Sequence, residues 1–92
     1  MIDFRTSKYD EFMALDEQWR AATEGKRTLR RSVLCRDRND ANHYLVFAFF
    51  DDHDSAMANS NLPETGEFAT KQQALTDGAA TFTDLDILDD RS

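Results

Sequence analysis

The sequence predicts an α+β fold, a four-stranded antiparallel sheet carrying its helices on one face. Three observations support this. Stretches of period two alternate with stretches of helical spacing in the order β-α-β-β-α-β along residues 1–92. One stretch, "HYLVFAFF" at 43–50, does not alternate at all, which is the pattern of a strand covered on both faces. The remaining connections read as a short turn or as helical crossovers, and right-handed crossovers put both helical segments on the same side.

"MIDFR" sets Ile2 and Phe4 against Asp3 and Arg5, a half-buried strand. "SKYDEFMALDEQWRAATEG" reads as helix: Tyr9, Phe12, Met13, Trp19 and Ala22 recur at helical spacing and Leu15 adds breadth. Ser7 is placed to cap it, with Asp10 three residues on, and Gly25 to stop it. In "RTLRRSVLCRD", Leu29, Arg31, Val33 and Cys35 share one face and Arg30, Ser32, Leu34 and Arg36 the other, which suits an edge strand. "DRNDAN" is a polar turn into strand 43–50. "DDHDSAMANS" reads as a short helix capped by Asp51 or Asp52. "NLPETGEFATKQQALTDG" reads as another, with Pro63 in its first turn and Asn61 and Glu64 at capping-box spacing. "ATFTDLDILDD" is expected to be the last strand, with Thr81, Thr83, Leu85 and Ile87 on one face.

This order gives a ferredoxin-like fold, a single domain over 1–92 with strand order 4-1-3-2. Helices cover one sheet face only, while strand 43–50 is apolar on both. A second copy of the chain is the economical cover, so a homodimer closed into an α/β barrel is expected. A chain this short buries only roughly 60–65% of its unfolded surface and gains from a partner. Six of the eleven basic residues (Lys26, Arg27, Arg30, Arg31, Arg36, Arg38) fall around the second strand, and the expected last strand carries Asp84, Asp86, Asp89 and Asp90. Across a two-fold axis these edges are complementary.

Composition narrows the function. The net charge of −7 opposes nucleic-acid binding. No apolar run approaches the roughly 20 residues that span a bilayer. "MIDFRTSKYDEF" lacks the basic flank and apolar core of a secretory signal, and the single Cys35 suits a reducing compartment, so a cytoplasmic protein is expected.

Six residues are ligand-pocket candidates. Trp19 could wall a pocket between helix and sheet or simply fill the core. Arg31, on an otherwise apolar strand face, could anchor an anion or pair across an interface. His43 opens the buried strand, where it could act as a base or sit solvated, and Tyr44 follows it toward the pocket. Asn59 and Asn61 flank a helix break, where amides could hydrogen-bond a bound carbonyl or merely cap the two helices. His53 in "DDHDS" does not make a metal site, because adjacent residues at a helix start cannot converge on one ion. Cys35 has no histidine placed to activate it.

The strand leading into "FDDHDSAMANSNLPETGEFA" and the terminal "FTDLDIL" resemble the dimeric α/β-barrel superfamily of antibiotic-biosynthesis-monooxygenase-like domains, in particular small actinobacterial members. The resemblance covers essentially the whole chain and is strongest over residues 46–90. It implies a homodimer with a pocket for a small aromatic ligand, and a cofactor-independent monooxygenase acting on a phenolic or polyketide-like substrate. A non-catalytic homodimeric module binding a metabolite or protein is the alternative. Two departures stand out: the first strand opens later than the family pattern, and "NSNLPETGEF" lacks the histidine that haem-degrading relatives carry on that helix. The expectation is therefore no metal and no organic cofactor.

Overall fold

The computed structural model describes residues 1–92. Four strands and three helices follow in the order β1 (Ile2–Arg5), α1 (Tyr9–Ala22), β2 (Arg31–Arg36), β3 (His43–Phe49), α2 (His53–Ser60), α3 (Pro63–Gln73) and β4 (Thr81–Phe82). The strands form one antiparallel sheet in the order β2-β3-β1-β4, the order expected from the sequence, with β2 on the outer edge.

Register decides which side chains meet. Phe4 lies opposite Tyr44, Ile2 opposite Val46, and Val46 in turn opposite Leu34. These residues share the face on which α1 lies. Phe12 stacks on Phe4 at 4.5 Å between ring centroids, Phe4 on Tyr44 at 5.6 Å, and Tyr9 on Tyr44 at 5.2 Å. Such pairs add about 0.5–1.5 kcal/mol beyond the area they bury. Phe4 and Tyr44 are each 3% exposed and form the apolar core.

The opposite sheet face carries Asp3, Arg5, Arg31, Val33, Cys35, His43, Leu45, Phe47 and Phe49, by alternation from the same register. Val33, Leu45, Phe47 and Phe49 are only half-buried. The accessible surface is 6701 Å². A compact 10.6 kDa monomer is expected to expose about 5,500 Å², so this chain shows about 1,200 Å² more.

The remaining buried residues are polar. Thr6 is 1% exposed and Thr23 fully buried. Thr6 Oγ1 donates to the Leu75 carbonyl (2.7 Å) and accepts from the Lys8 N–H (3.0 Å), joining the exits of β1 and α3 to the start of α1. Thr23 Oγ1 donates to the Trp19 carbonyl at 2.7 Å.

Several helix ends differ from the sequence reading. Lys8, not Ser7, takes the N-cap position of α1, without a side-chain cap; the Thr6 hydroxyl beside it takes up the Lys8 N–H instead. Leu62 precedes α3 with Pro63 in its first turn, so Asn61 does not cap that helix; it closes α2. Asp52 does cap α2, accepting from the Ser55 N–H at 2.7 Å. That bond holds the Asp52 carboxyl below its usual range. Gly25 and Gly78 follow α1 and α3 at φ of 80° and 93°, where a side chain would be strained.

The last strand is the largest correction. β4 spans two residues, not the whole of "ATFTDLDILDD". Its partner β1 runs the other way, pairing Ile2 with Phe82 and Asp3 with Thr81. Met1 and Thr83 exchange the final rung, at 2.8 and 2.9 Å. Residues 84–92 leave the sheet, with Leu85, Ile87 and Leu88 exposed.

Replacing Phe4 with Ala should cost about 3–5 kcal/mol of stability in urea titration. Phe82→Ala, at a side chain 66% exposed, should cost under about 0.5 kcal/mol. Equal losses would mean that the core is not centred on Phe4.

Candidate functional site

α1 crosses the sheet obliquely, with Tyr9 over β3, Phe12 over β1 and Arg20 at β2. Its flank toward the β2 edge overhangs the sheet and leaves a cleft of about 460 Å³. Phe12, Met13, Asp16, Glu17 and Arg20 come from the helix, and Ser32, Leu34 and Val46 from the strands. Met13, Asp16, Glu17 and Arg20 are spaced i, i+3, i+4 and i+7, which puts them on one helix flank. The size lies within the roughly 300–1,000 Å³ of small-molecule sites.

The cleft's polar side is built around Arg20. Its Nε donates to Asp16 (3.0 Å) and its Nη2 to Ser32 Oγ (2.7 Å), while Arg27 Nη1 donates to the Arg20 carbonyl (2.6 Å). The guanidinium is thus fixed, with Nη1 left over for a ligand. Glu17 stands exposed at the rim without an ion-pair partner. An apolar floor with one held guanidinium and one free carboxylate suits a flat molecule bearing hydroxyl or carbonyl groups.

The other flank of α1 is tied to α3, and the segment after α1 to α3 and α2. Trp19 Nε1 donates to Thr65 Oγ1 at 3.0 Å, Lys26 pairs with Glu64 at 2.6 Å, and Thr28 Oγ1 donates to the Ser55 carbonyl at 2.5 Å. The Lys26 ammonium holds the Glu64 carboxyl below its usual range. On α2, Asn59 is 7% exposed and its Oδ1 has no hydrogen-bond partner; Glu64 Oε2 is likewise buried and unpartnered. Native proteins leave few such groups unmatched.

The six sequence candidates do not converge. Trp19 lies in the α1–α3 seam, Asn59 is buried on α2, and Asn61 is exposed at the C-terminal end of α2. Tyr44 belongs to the aromatic core, its hydroxyl accepting from Arg36 Nη2 at 3.2 Å. Arg31 and His43 occupy the opposite sheet face, Arg31 with its guanidinium 5.7 Å from the Phe49 ring. His43 is bonded by Asp37 (Nδ1, 2.9 Å) and Asp3 (Nε2, 2.7 Å). None of the six lines the cleft. The reading of the sequence missed Arg20, Asp16 and Ser32, although the i,i+4 spacing of Asp16 and Arg20 was a usable signal.

Neither a protein-family model nor a curated protein matches the chain. Solved structures do. The crystal structure of an antibiotic biosynthesis monooxygenase superposes with a TM-score of 0.75 at 12% identity, covering 96% of this chain and 95% of that one. SnoaB, a cofactor-independent oxygenase from Streptomyces nogalater, superposes at 0.71 with 24% identity over 97% and 93%. A form of SnoaB with one asparagine changed to alanine gives 0.72 at the same identity and coverage. The chain shares the fold of these antibiotic-biosynthesis-monooxygenase-like proteins.

The seam admits a direct test. Trp19→Phe and Thr65→Val should each cost about 0.5–1.5 kcal/mol. The double variant should cost clearly less than their sum, giving a coupling of at least about 0.5 kcal/mol in thermal or urea unfolding. Strict additivity would show that the Trp19–Thr65 bond does not hold the helices together.

Proposed function

We propose that residues 1–92 form a single-domain cytoplasmic homodimer. In this reading it binds a small aromatic molecule and oxidises it with molecular oxygen, without metal or organic cofactor. The observation that carries this reading is the cleft beneath α1, with its apolar floor and preset Arg20. The likeness in fold to SnoaB supports the reaction class, although fold alone does not determine function.

In such chemistry an electron-rich phenol loses its proton and gives an electron to oxygen. The two radicals join at a ring carbon, and the peroxide collapses to a quinone and water. One oxygen atom enters the ring and the other leaves as water, so no external reductant is needed. The protein supplies a dry site, orientation and hydrogen bonds to the developing phenolate. Glu17 is the acceptor we assign to the phenol proton, and the free N–H groups of Arg20 the donors to the phenolate. Asn59 is the second group assigned to substrate. Its Oδ1 is a buried acceptor without a donor and lies outside the lining of the cleft, so this assignment requires the structure to open between the cleft and α2 when ligand binds.

One observation favours the alternative of a non-catalytic metabolite-binding dimer. The cleft's Asp16, Arg20 and Ser32 already satisfy one another, as in a site that holds a ligand and does no more. Oxygen-electrode measurements with naphthols and hydroxyanthrones separate the two. Uptake stoichiometric with quinone formation is expected, abolished with binding by Leu34→Trp, which fills the cleft, and lowered at least about tenfold by Asn59→Ala with binding retained. Calorimetric binding without oxygen uptake would establish the module instead.

The dimer is supported by the half-buried open face and by the excess surface, which compares with the roughly 800 Å² that each partner buries in a standard interface. The exposed acidic segment 84–92 is complementary in charge to the basic edge at β2, which in a two-fold dimer would belong to the second copy. Arg36 does not belong to that edge, because its guanidinium lies 5.3 Å over Tyr9 and 5.4 Å over Tyr44; Arg38 remains, with Arg30, whose exposed pairing with Asp51 at 3.5 Å would have to yield. Sedimentation should show a dimer at micromolar concentration that persists in 1 M salt, because apolar burial dominates its affinity. Arg30→Glu with Arg38→Glu should slow association, and Asp84→Lys with Asp86→Lys should restore it. A monomer in low salt would sink the barrel.

A further inference from the structure

The loop between β2 and β3, residues 37–42, closes on itself through backbone bonds from Asp37 N–H to the His43 carbonyl (2.9 Å) and from His43 N–H to the Asp40 carbonyl (3.1 Å). Asp37 and Asp40 side chains accept from the Asn39 and Asn42 N–H groups at 2.8 and 3.0 Å. The side chain of His43 ties this loop to the first strand. His43, with 18% of its side chain exposed, reaches Asp37 of the loop through Nδ1 and Asp3 of β1 through Nε2. A neutral imidazole has one N–H and can donate to only one of these carboxylates. An imidazolium has two and satisfies both.

We infer that Asp3, His43 and Asp37 form a proton-operated latch, which fastens the β2–β3 loop to β1 at the rim of the open sheet face while His43 is charged. When the proton leaves, one ring nitrogen turns a lone pair toward a carboxylate, and that arm of the latch repels instead of holding. The charged groups around the ring are Asp3 and Arg5 from β1 and Asp37 and Asp40 from the loop. Arg5 pairs with Asp40, a second tie between the same two elements. Arg36, next to Asp37 in the chain, faces the covered side of the sheet and takes no part.

The hydrogen bond to Asp37, and then that to Asp3, raises the His43 pKa above 6.5, and the Asp37 carboxyl is lowered mainly by the same bond to His43. A raised folded value means that the latch is fully closed below pH 6.5 and opens as pH rises through the folded pKa. A lowered Asp37 means that it also opens in strong acid, as pH falls through that carboxyl's folded value. The latch therefore works in a band, bounded above by the folded pKa of His43 and below by that of Asp37. This inference stands on the single chain and depends neither on the oxygenase reading nor on the dimer.

The chain has two histidines, so a His53→Gln background leaves one imidazole to follow by NMR. Its ring signals should titrate above pH 6.5. The loop reports through the amides of Asp37 and His43, and through Thr6, whose N–H donates to the Asn42 carbonyl at 2.9 Å. Their hydrogen-exchange protection factors, corrected for the intrinsic rate, should fall by up to roughly tenfold per pH unit between 6.5 and the folded pKa. Adding His43→Gln should make that protection independent of pH while the sheet's central amides stay protected. Asp3→Asn should lower the imidazole pKa without unfolding the chain. An imidazole titrating at or below 6.5 would overturn the latch, as would the same pH-dependent loss of protection in the His43→Gln variant.

Discussion

The fold depends on one row of rings. Phe12, Phe4, Tyr44 and Tyr9 stack in sequence across the helix–sheet boundary, and the Arg36 guanidinium closes the row over the two tyrosines. The row needs Phe4 opposite Tyr44, a pairing that a one-residue slip of β1 against β3 would destroy, sending Phe4 to the other face from Tyr44. It also sets the line along which α1 crosses the sheet. Once that line is set, one flank of the helix overhangs Leu34 and Val46 and the other meets α3. The cleft and the seam are two consequences of the same stack.

Apolar burial beyond that row is thin, and hydroxyl groups do much of the joining. The two most deeply buried side chains are threonines, each bonded to a backbone carbonyl at a chain reversal. Trp19, Thr28 and Lys26 likewise hold the helices through directed bonds. Such contacts fix geometry well but contribute only about 1 kcal/mol each. A chain built this way keeps a defined shape while leaving one whole sheet face for something else to cover.

Much of the architecture was legible in the sequence because periodicity is local. The alternation of Ile2 and Phe4, the unbroken apolar run at 43–49 and the break at Pro63 each gave their element directly, and the strand order followed from the connections. The extent of β4 was not legible, because it is set by pairing with a strand about 80 residues away and not by its own alternating residues. The site was read less well. Asn59 stood out by its place near a helix break, while Tyr44 went to the core and Arg31 and His43 to the far face. Parity places a residue on a face, but only register and helix position place the faces together. His43 shows the limit: its two carboxylate partners lie 40 and 6 residues away, and no spacing rule joins them.

The shortness of β4 has a consequence for how the protein behaves in a crowded solution. Residues 84–92 alternate in the manner of a strand and expose three large aliphatic side chains, the kind of segment that seeds fibrils. Aspartates interrupt that pattern at 84, 86, 89 and 90. In any in-register stack each would lie about 4.8 Å from its own copy, with no cation of its own to relieve it except Arg91. Self-association through this segment is therefore opposed by charge, while a basic edge would receive it. The segment can stay sticky toward one surface and inert toward itself.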